Sequence, residues 1–317
     1  LTMNGQFTVG MIAQFQGFLS CFSGPMGQLI SAGQSLMEMR TEMERIEDVM
    51  QYPEDPAFHA EAQEEEEAAE FEKLSGRVEL KNVTFGYSRL APPLIRDFNL
   101  TLKPGSRVAL VGASGCGKST VTKLVSGLYQ PWSGEILFDG KPIGSISRER
   151  LTGSLAVVDQ DIVIFEDTIA NNIRMWDTSI EDFEVTLAAW DAQIYHDIMR
   201  RDGGFQNKLT EGGKDLSGGQ RQRLEIARVL AQDPTIIIMD EATSALDAKT
   251  EYEVVSAIRN RGITCIVVAH RLSTIRNANR IISIADGTIT ECGTHEELVN
   301  TGGIYSQLYQ TQNALAG

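Results

Sequence analysis

Apolar and polar positions along this chain change regime twice. From Val9 to Ile30 the sequence is mostly apolar, and no charged residue precedes Glu38. At helical rise about 20 residues suffice to cross hydrocarbon, so this stretch is long enough to span a membrane. Gln14, Gln16 and Gln28 would then face a bundle interior or a path and not lipid. Leu29, Ala32, Leu36, Met39, Met43, Ile46 and Met50 follow at alternating steps of three and four, a heptad stripe for packing against another helix. A helix outside the membrane that buries the same stripe is the alternative reading. Pro25 is a candidate kink, and Tyr52-Pro53-Glu54-Asp55-Pro56 ends the helix. A signal peptide fits poorly, since there is neither a basic leading region nor a cleavage pattern.

After an acidic run at 61–70, short apolar segments alternate with helical patterns, as in a layered α/β domain. Residues 77–102 read as short antiparallel strands, broken at Pro92-Pro93, and Lys103-Pro104-Gly105 as a turn. Arg107-Val108-Ala109-Leu110-Val111 reads as a buried strand, with a helix predicted over 118–127. Residues 129–142 hold another short strand and an Asp139-Gly140 turn. From 165 to 208 the pattern becomes helical and richer in charge. Ile236 to Met239 and Cys265 to Ala269 are unbroken apolar runs, which suits strands covered on both faces of a mostly parallel sheet. Asp286-Gly287 predicts a hairpin turn between two short strands. Thr294, with Glu296 and Glu297 behind it, predicts a helix start.

Chemistry enters with Gly112-Ala113-Ser114-Gly115-Cys116-Gly117-Lys118-Ser119-Thr120, between the 107–111 strand and the 118–127 helix. Glycines there let backbone amides converge on phosphate oxygens at the positive end of a helix. Lys118 is placed to hold the outer phosphates and the Ser119 hydroxyl to join a magnesium shell. A glycine-rich turn with a surface lysine is the bland alternative. Asp240 and Glu241 follow the Ile236 to Met239 run. Beside a phosphate loop, Asp240 suits magnesium, and Glu241 a role in orienting or deprotonating an attacking water. Ser217-Gly218-Gly219-Gln220 opens a further helical segment, and its amides and hydroxyl make a second anion-accepting start.

The phosphate loop, the stretch Asp215-Leu216-Ser217-Gly218-Gly219-Gln220 and the acid-ended strand, in that order, resemble the ATPase domain of an ATP-binding-cassette transporter. The resemblance implies an α/β P-loop NTPase cassette with antiparallel strands on the base side and an inserted helical subdomain, preceded by a long helix. It implies ATP and Mg2+ as ligands, with Gly112, Ser114, Gly115, Cys116, Gly117, Lys118, Ser119 and Thr120 around the phosphates. Tyr87 corresponds to the aromatic that stacks on adenine, although an aromatic on a short strand can equally be structural. Gln160 takes the place of the glutamine near magnesium and the attacking water. His270 takes that of the histidine contacting the terminal phosphate, against the rival of an ordinary strand-end histidine. Glu241, His270 and Gln160 are thus the catalytic candidates, and Ser119, Gln160 and Asp240 the metal candidates. Residues 242–247, ending in Asp247, match a dimer-contact loop. The resemblance further implies that Ser217, Gly218, Gly219 and Gln220 close over ATP held by a second cassette, in a homodimer or with a sister half-transporter. Glu211 and Gly212 add support for an exporter.

The implied boundaries are 1–52 for a last membrane helix and its extension, 53–76 for an acidic linker and 77–317 for the cassette, with its helical subdomain at about 162–231. The phrases at 127–140 and 171–177 look most like bacterial exporters of peptides with nitrile-hydratase-like leaders, and those at 13–16 and 47–53 fit the same group. Export of a peptide or bacteriocin across the bacterial cytoplasmic membrane, with the ATPase on the cytoplasmic side, is the expectation. A lipid or other small hydrophobic cargo, or a regulatory ATPase outside transport, is the alternative. The rest of the membrane domain is expected outside this chain. Net charge adds one exclusion: at −15 over 317 residues the chain is poorly suited to holding a nucleic acid by general attraction. Its four cysteines lack metal-ligand spacing and fit a reducing compartment.

Overall fold

The computed structural model describes residues 8–52, 72–159, 161–240, 242–268 and 271–316, and the chain divides into two compact units, Leu1–Pro56 and Ala57–Gly317. The described residues of the first form one helix, α1 (Val9–Met50), whose N-cap hydroxyl on Thr8 accepts the Met11 amide. It runs through Pro25 and buries none of its own residues. The membrane-spanning expectation is corrected here, because no described helix is long and apolar enough to cross a membrane. With 42 residues α1 has the length. What it lacks is apolarity: Gln14, Gln16, Ser20, Ser23, Gln28 and the interleaved glycines dilute the run. Freedom from charge is a weaker condition than the hydrocarbon core demands.

The second unit is built on two sheets. Strands β1 (Val78–Phe85), β2 (Ile95–Leu102), β4 (Ser133–Phe138) and β5 (Lys141–Pro142) form an antiparallel sheet in the order β2-β1-β4-β5. The larger sheet runs β10-β9-β3-β8-β7-β6, from β3 (Arg107–Val111), β6 (Leu155–Val158), β7 (Ile236–Asp240), β8 (Thr264–Val268), β9 (Arg280–Ala285) and β10 (Thr288–Gly293). All its neighbours are parallel except β9 and β10, which pair antiparallel across Asp286-Gly287. Both turn residues adopt positive φ, 48° and 74°, the pairing a tight two-residue hairpin requires.

Each central strand feeds two cores, which is why its sequence reads as an unbroken apolar run. Val108, Leu110, Ile236, Ile238, Ile266 and Val268 face the antiparallel sheet, with Phe98 and Phe138, and α2 (Lys118–Val125). Ala109, Val111, Ile237, Met239, Cys265 and Val267 face the opposite layer, where α7 (Gly218–Ala231) and α8 (Ala248–Asn260) pack. The alternation is the strand period of two, with both faces dry.

Between β6 and β7 lie α4 (Ile169–Arg174), α5 (Asp182–Asp191), α6 (Tyr195–Met199) and finally α7. Left-handed residues Met175, Trp176 and Gln193 interrupt the helical stretch, so one charge-rich pattern resolves into three short helices. The remaining helices are α3 (Arg148–Ser154), α9 (Leu272–Arg276), α10 (His295–Leu298) and α11 (Ile304–Ala316). Thr294 caps α10 in a reciprocal box with Glu297.

Candidate active site

The parallel strands β3, β8, β7 and β6 end at one edge of the larger sheet, where ligands of open α/β sheets sit. The phosphate loop leaves β3 and Asp240 ends β7 at that edge. Gln160, Glu241 and His270 stand in sequence just after β6, β7 and β8, and these three catalytic candidates lie outside the described residues.

The loop is shaped by its glycines. Gly112, Gly115 and Gly117 have φ of 153°, 80° and 106°, values that side chains rarely adopt. A Cβ on Gly112 would stand 2.3 Å from the Ile284 carbonyl oxygen, and one on Gly117 would stand 2.5 Å from Ile95 Cδ1. Gly117 is also the N-cap of α2 and supplies no side chain to the first-turn amides, which suits an anion. Lys118 is buried, and its ammonium donates to the Gly112 and Ala113 carbonyls at 2.9 Å each. The half-buried Cys116 thiol lies 3.9 Å from that ammonium. This cradle fits a polyphosphate: a fixed cation, an open helix start and no acid within the loop itself.

Ser119 and Asp240 supply one hydroxyl and one carboxylate. No group of three histidine, cysteine or acidic side chains that could hold a metal occurs among the described residues. That donor set fits magnesium, which keeps waters and takes its other ligands from substrate phosphates. When bound, magnesium would neutralise phosphate charge at this edge.

Tyr87 is brought to the phosphate loop, with its phenol oxygen 3.1 Å from Thr120 Oγ1. Its ring stands nearly perpendicular to those of Phe85 and Tyr129, at 80° and 87° with centroids 5.4 Å away in both cases, yet the residue stays 56% exposed. A ring held by two neighbours and still more than half exposed can offer surface to a flat base.

Helix α7, the signature helix that opens on Ser217-Gly218-Gly219-Gln220, starts with a capping box. Ser217 Oγ accepts the Gln220 amide at 3.2 Å, and Gln220 Oε1 accepts the Ser217 amide at 3.0 Å. The Gln220 side chain and amide therefore serve the cap, leaving the amides of Gly218 and Gly219 and the Ser217 hydroxyl proton as donors for an anion. Asp215 precedes the cap. Burial pushes its carboxyl up, but hydrogen bonds from Arg201 and Thr210 outweigh this and bring it down to about 2. Asp247 caps α8, accepting from the amides of Lys249 and Thr250, and the Thr250 hydroxyl chiefly holds its carboxyl below the usual range.

Sequence reasoning missed Arg201, Gln222 and Arg271. Arg201 bonds Asp215, Gln222 bonds the 242–247 turn from α7, and Arg271 bonds it from beyond β8. None carries a local spacing signal, because each partner is 14 or more residues away.

Residues 95–244 match a family model described as ABC transporter. The mitochondrial potassium channel ATP-binding subunit of Pongo abelii is 44% identical over 245 residues, covering 76% of this chain and 34% of that protein. The β-(1→2)glucan export ATP-binding/permease protein NdvA of Bradyrhizobium diazoefficiens is 39% identical over 310 residues, 97% and 50% respectively. The ATP-dependent lipid A-core flippase of Hahella chejuensis is 43% identical over 246 residues, 76% and 42%. A solved bacterial Atm1-family ABC exporter with ATP bound superposes with a TM-score of 0.71 at 39% identity, over 76% of this chain and 42% of that one. The chain spans about a third to a half of the length of the proteins it matches.

These likenesses correct the narrower resemblance to exporters of peptides with nitrile-hydratase-like leaders, since they run across proteins described by glucan, lipid and potassium-channel functions. Of the phrases that suggest it, 127–140 holds β4 with its turn and 171–177 holds α4 with the residues after it. Those are parts of the ATP-handling cassette and carry no record of cargo. The loop, the acid-ended strand and the signature helix all fall within the matched span, so the chain carries an ABC-transporter ATPase domain, magnesium-dependent, that binds and hydrolyses ATP.

Proposed function

We propose that this chain is the ATPase part of an exporter and works as one of two cassettes paired head to tail. The observation that carries the reading is the presence of two anion-accepting helix starts in one cassette. The start of α2, with Lys118 and the loop amides, serves ATP held by this chain. The start of α7, with Ser217 and the amides of Gly218 and Gly219, serves ATP held by the partner, which Asp247 also approaches. Tyr87 stacks on the base, and Ser119, Asp240 and Gln160 attend magnesium. Glu241 orients or deprotonates the attacking water, while His270 positions the terminal phosphate.

Closure of the pair drives a membrane domain supplied by the whole protein, which sets the assembly at a membrane. Proteins similar to this chain are described as bacterial and as mitochondrial, so the reading does not choose between those membranes. For cargo we favour a lipid or another small hydrophobic compound over a peptide, supported by the two similar proteins described as lipid A-core flippases.

The test is turnover of Mg-ATP by the full chain, with mass followed in parallel by light scattering. ATP-dependent dimers that hydrolyse ATP support the reading, and hydrolysis by a strict monomer removes the pairing. In vesicles holding the whole transporter, stimulation of turnover by peptides and not by lipids would reverse the cargo choice.

A further inference from the structure

The turn between β7 and α8, residues 242–247, is gripped from three sides. From the signature helix, Gln222 Oε1 accepts the Ala245 amide at 2.9 Å and Gln222 Nε2 lies 3.5 Å from Ser244 Oγ. Gly219 rests on the same turn: a Cβ there would stand 3.2 Å from the Ala245 carbonyl oxygen and 3.9 Å from Leu246 Cδ2. From α8, the buried Glu251 accepts the Thr243 hydroxyl at 3.0 Å, and Asp247 caps the helix. The third grip is Arg271, whose Nη1 donates to the Leu246 carbonyl and whose Nη2 donates to that of Ser244, 2.5 Å each.

Arg271 follows His270 directly in sequence and is the N-cap of α9. Its planar fork puts a separate nitrogen on each of two carbonyls spaced two residues apart, a fixed spread of donors that the single nitrogen of a lysine does not have. Bonds from a charged donor to neutral carbonyls are among the stronger ones available to an exposed side chain. The turn therefore has two kinds of neighbour: the chain leaving β8 through Arg271, and the start of the signature helix through Gly219 and Gln222.

We propose that Arg271 is a positioning residue for ATP hydrolysis, locking the chain that leaves β8 to the 242–247 turn and thereby to the start of α7. The inference rests on the paired-cassette reading, in which the loop edge of one chain and its signature helix serve different ATP molecules. A link between them inside one chain makes the two sites of a pair respond together.

Full chains carrying Arg271→Ala and Arg271→Lys are compared with wild type for ATP affinity in direct titration, melting temperature, dimer mass and turnover against ATP concentration. Monomer affinity should be unchanged. The kcat should fall by up to about a hundredfold, the scale of a misplaced reacting group, and the Hill coefficient should drop to one. Arg271→Lys should recover part of both, since it retains the charge and N–H donors on one nitrogen but not the spread of the fork. Gln222→Ala should lower the Hill coefficient too, and the double variant should lose less than the two single losses combined. A wild type that pairs and turns over cooperatively, beside an Arg271→Ala variant with an unaltered Hill coefficient, overturns the positioning role and leaves pairing intact. The role is overturned by that result even if kcat and melting temperature fall. A wild type that hydrolyses ATP as a monomer removes the paired reading and this link with it. Should Arg271→Ala fail to fold, Arg271→Lys and Gln222→Ala carry the same comparison.

Discussion

Arg201 binds Asp215 at two points, its Nη1 lying 2.6 Å from the carboxylate and its Nη2 2.8 Å from the same residue's carbonyl oxygen. The pair closes the loop leading to the signature helix, and Thr210 adds its hydroxyl to the same carboxylate at 2.9 Å. Asp215 is thereby drawn from an ordinary 3.8 to about 2.

A depressed carboxyl contributes stability above its unfolded pKa, and that contribution is lost as pH falls through the folded value. Asp215→Asn should cost about 1 kcal/mol or less near neutral pH, because the pair is partly exposed and screened. The difference from wild type should narrow below 3.8 and close near 2. Denaturant midpoints measured over that range test it, and a gap independent of pH would rule out the ionised pair as its source.

Tyr87→Ala should weaken ATP binding by about 1–3 kcal/mol, the cost of losing a base-stacking ring. Tyr87→Phe keeps the ring and loses only the contact with Thr120, so it should bind nearly as wild type, and Tyr87→Trp should restore most of the loss. Nucleotide titrations in which the Ala variant matches wild type would mark the ring as structural.

Lys118→Ala removes the only ammonium bonded to the loop carbonyls of Gly112 and Ala113 among the described contacts. We expect ATP affinity to fall by about 1.5–3 kcal/mol, the scale of a hydrogen bond to a charged group. The loop amides remain, so weak binding persists. Unchanged affinity would separate Lys118 from the phosphates.

Glu241→Gln should bind ATP, accumulate the dimer and stall. The amide keeps the size and can hydrogen-bond, but cannot take up a proton as a carboxylate does. His270→Ala should also slow turnover at saturating Mg-ATP, through a lost positioning contact. Near-wild-type turnover in the Gln variant would remove Glu241 from catalysis while leaving ATP binding untouched.

What could be read from the chain was what is local. The runs Ile236 to Met239 and Cys265 to Val268 announce strands because two dry faces demand apolar residues at every step. The phosphate loop announces itself because only glycine fits beside Ile284 and Ile95. The Asp286-Gly287 hairpin follows from positive φ at both positions. Contacts between distant segments left no such trace: nothing near Arg271 points to Ser244, and nothing near Arg201 points to Asp215. The first fifty residues misled for another reason. Their lack of charge resembles a membrane span, while their glutamines, serines and glycines lower apolarity below what hydrocarbon needs. Cargo was illegible because the longest phrases that suggest one, 127–140 and 171–177, belong to strand, turn and helix of the nucleotide cassette.

The placement of β8 between β3 and β7 sets a dimension that no side chain controls. Leu110 is level with Val268, and Val268 is level with Asp240, so the strand feeding the phosphate loop and the strand bearing the acid stand two ladder steps apart. At about 4.8 Å per step that is roughly 10 Å, fixed by backbone hydrogen bonds. Substitutions in the cores can loosen or tighten packing without changing this gauge. An extra residue in β8 is different in kind. It would slide the acid strand about 3.3 Å along its neighbour and turn the apolar faces of β8 over, so this edge accepts new side chains far more readily than insertions.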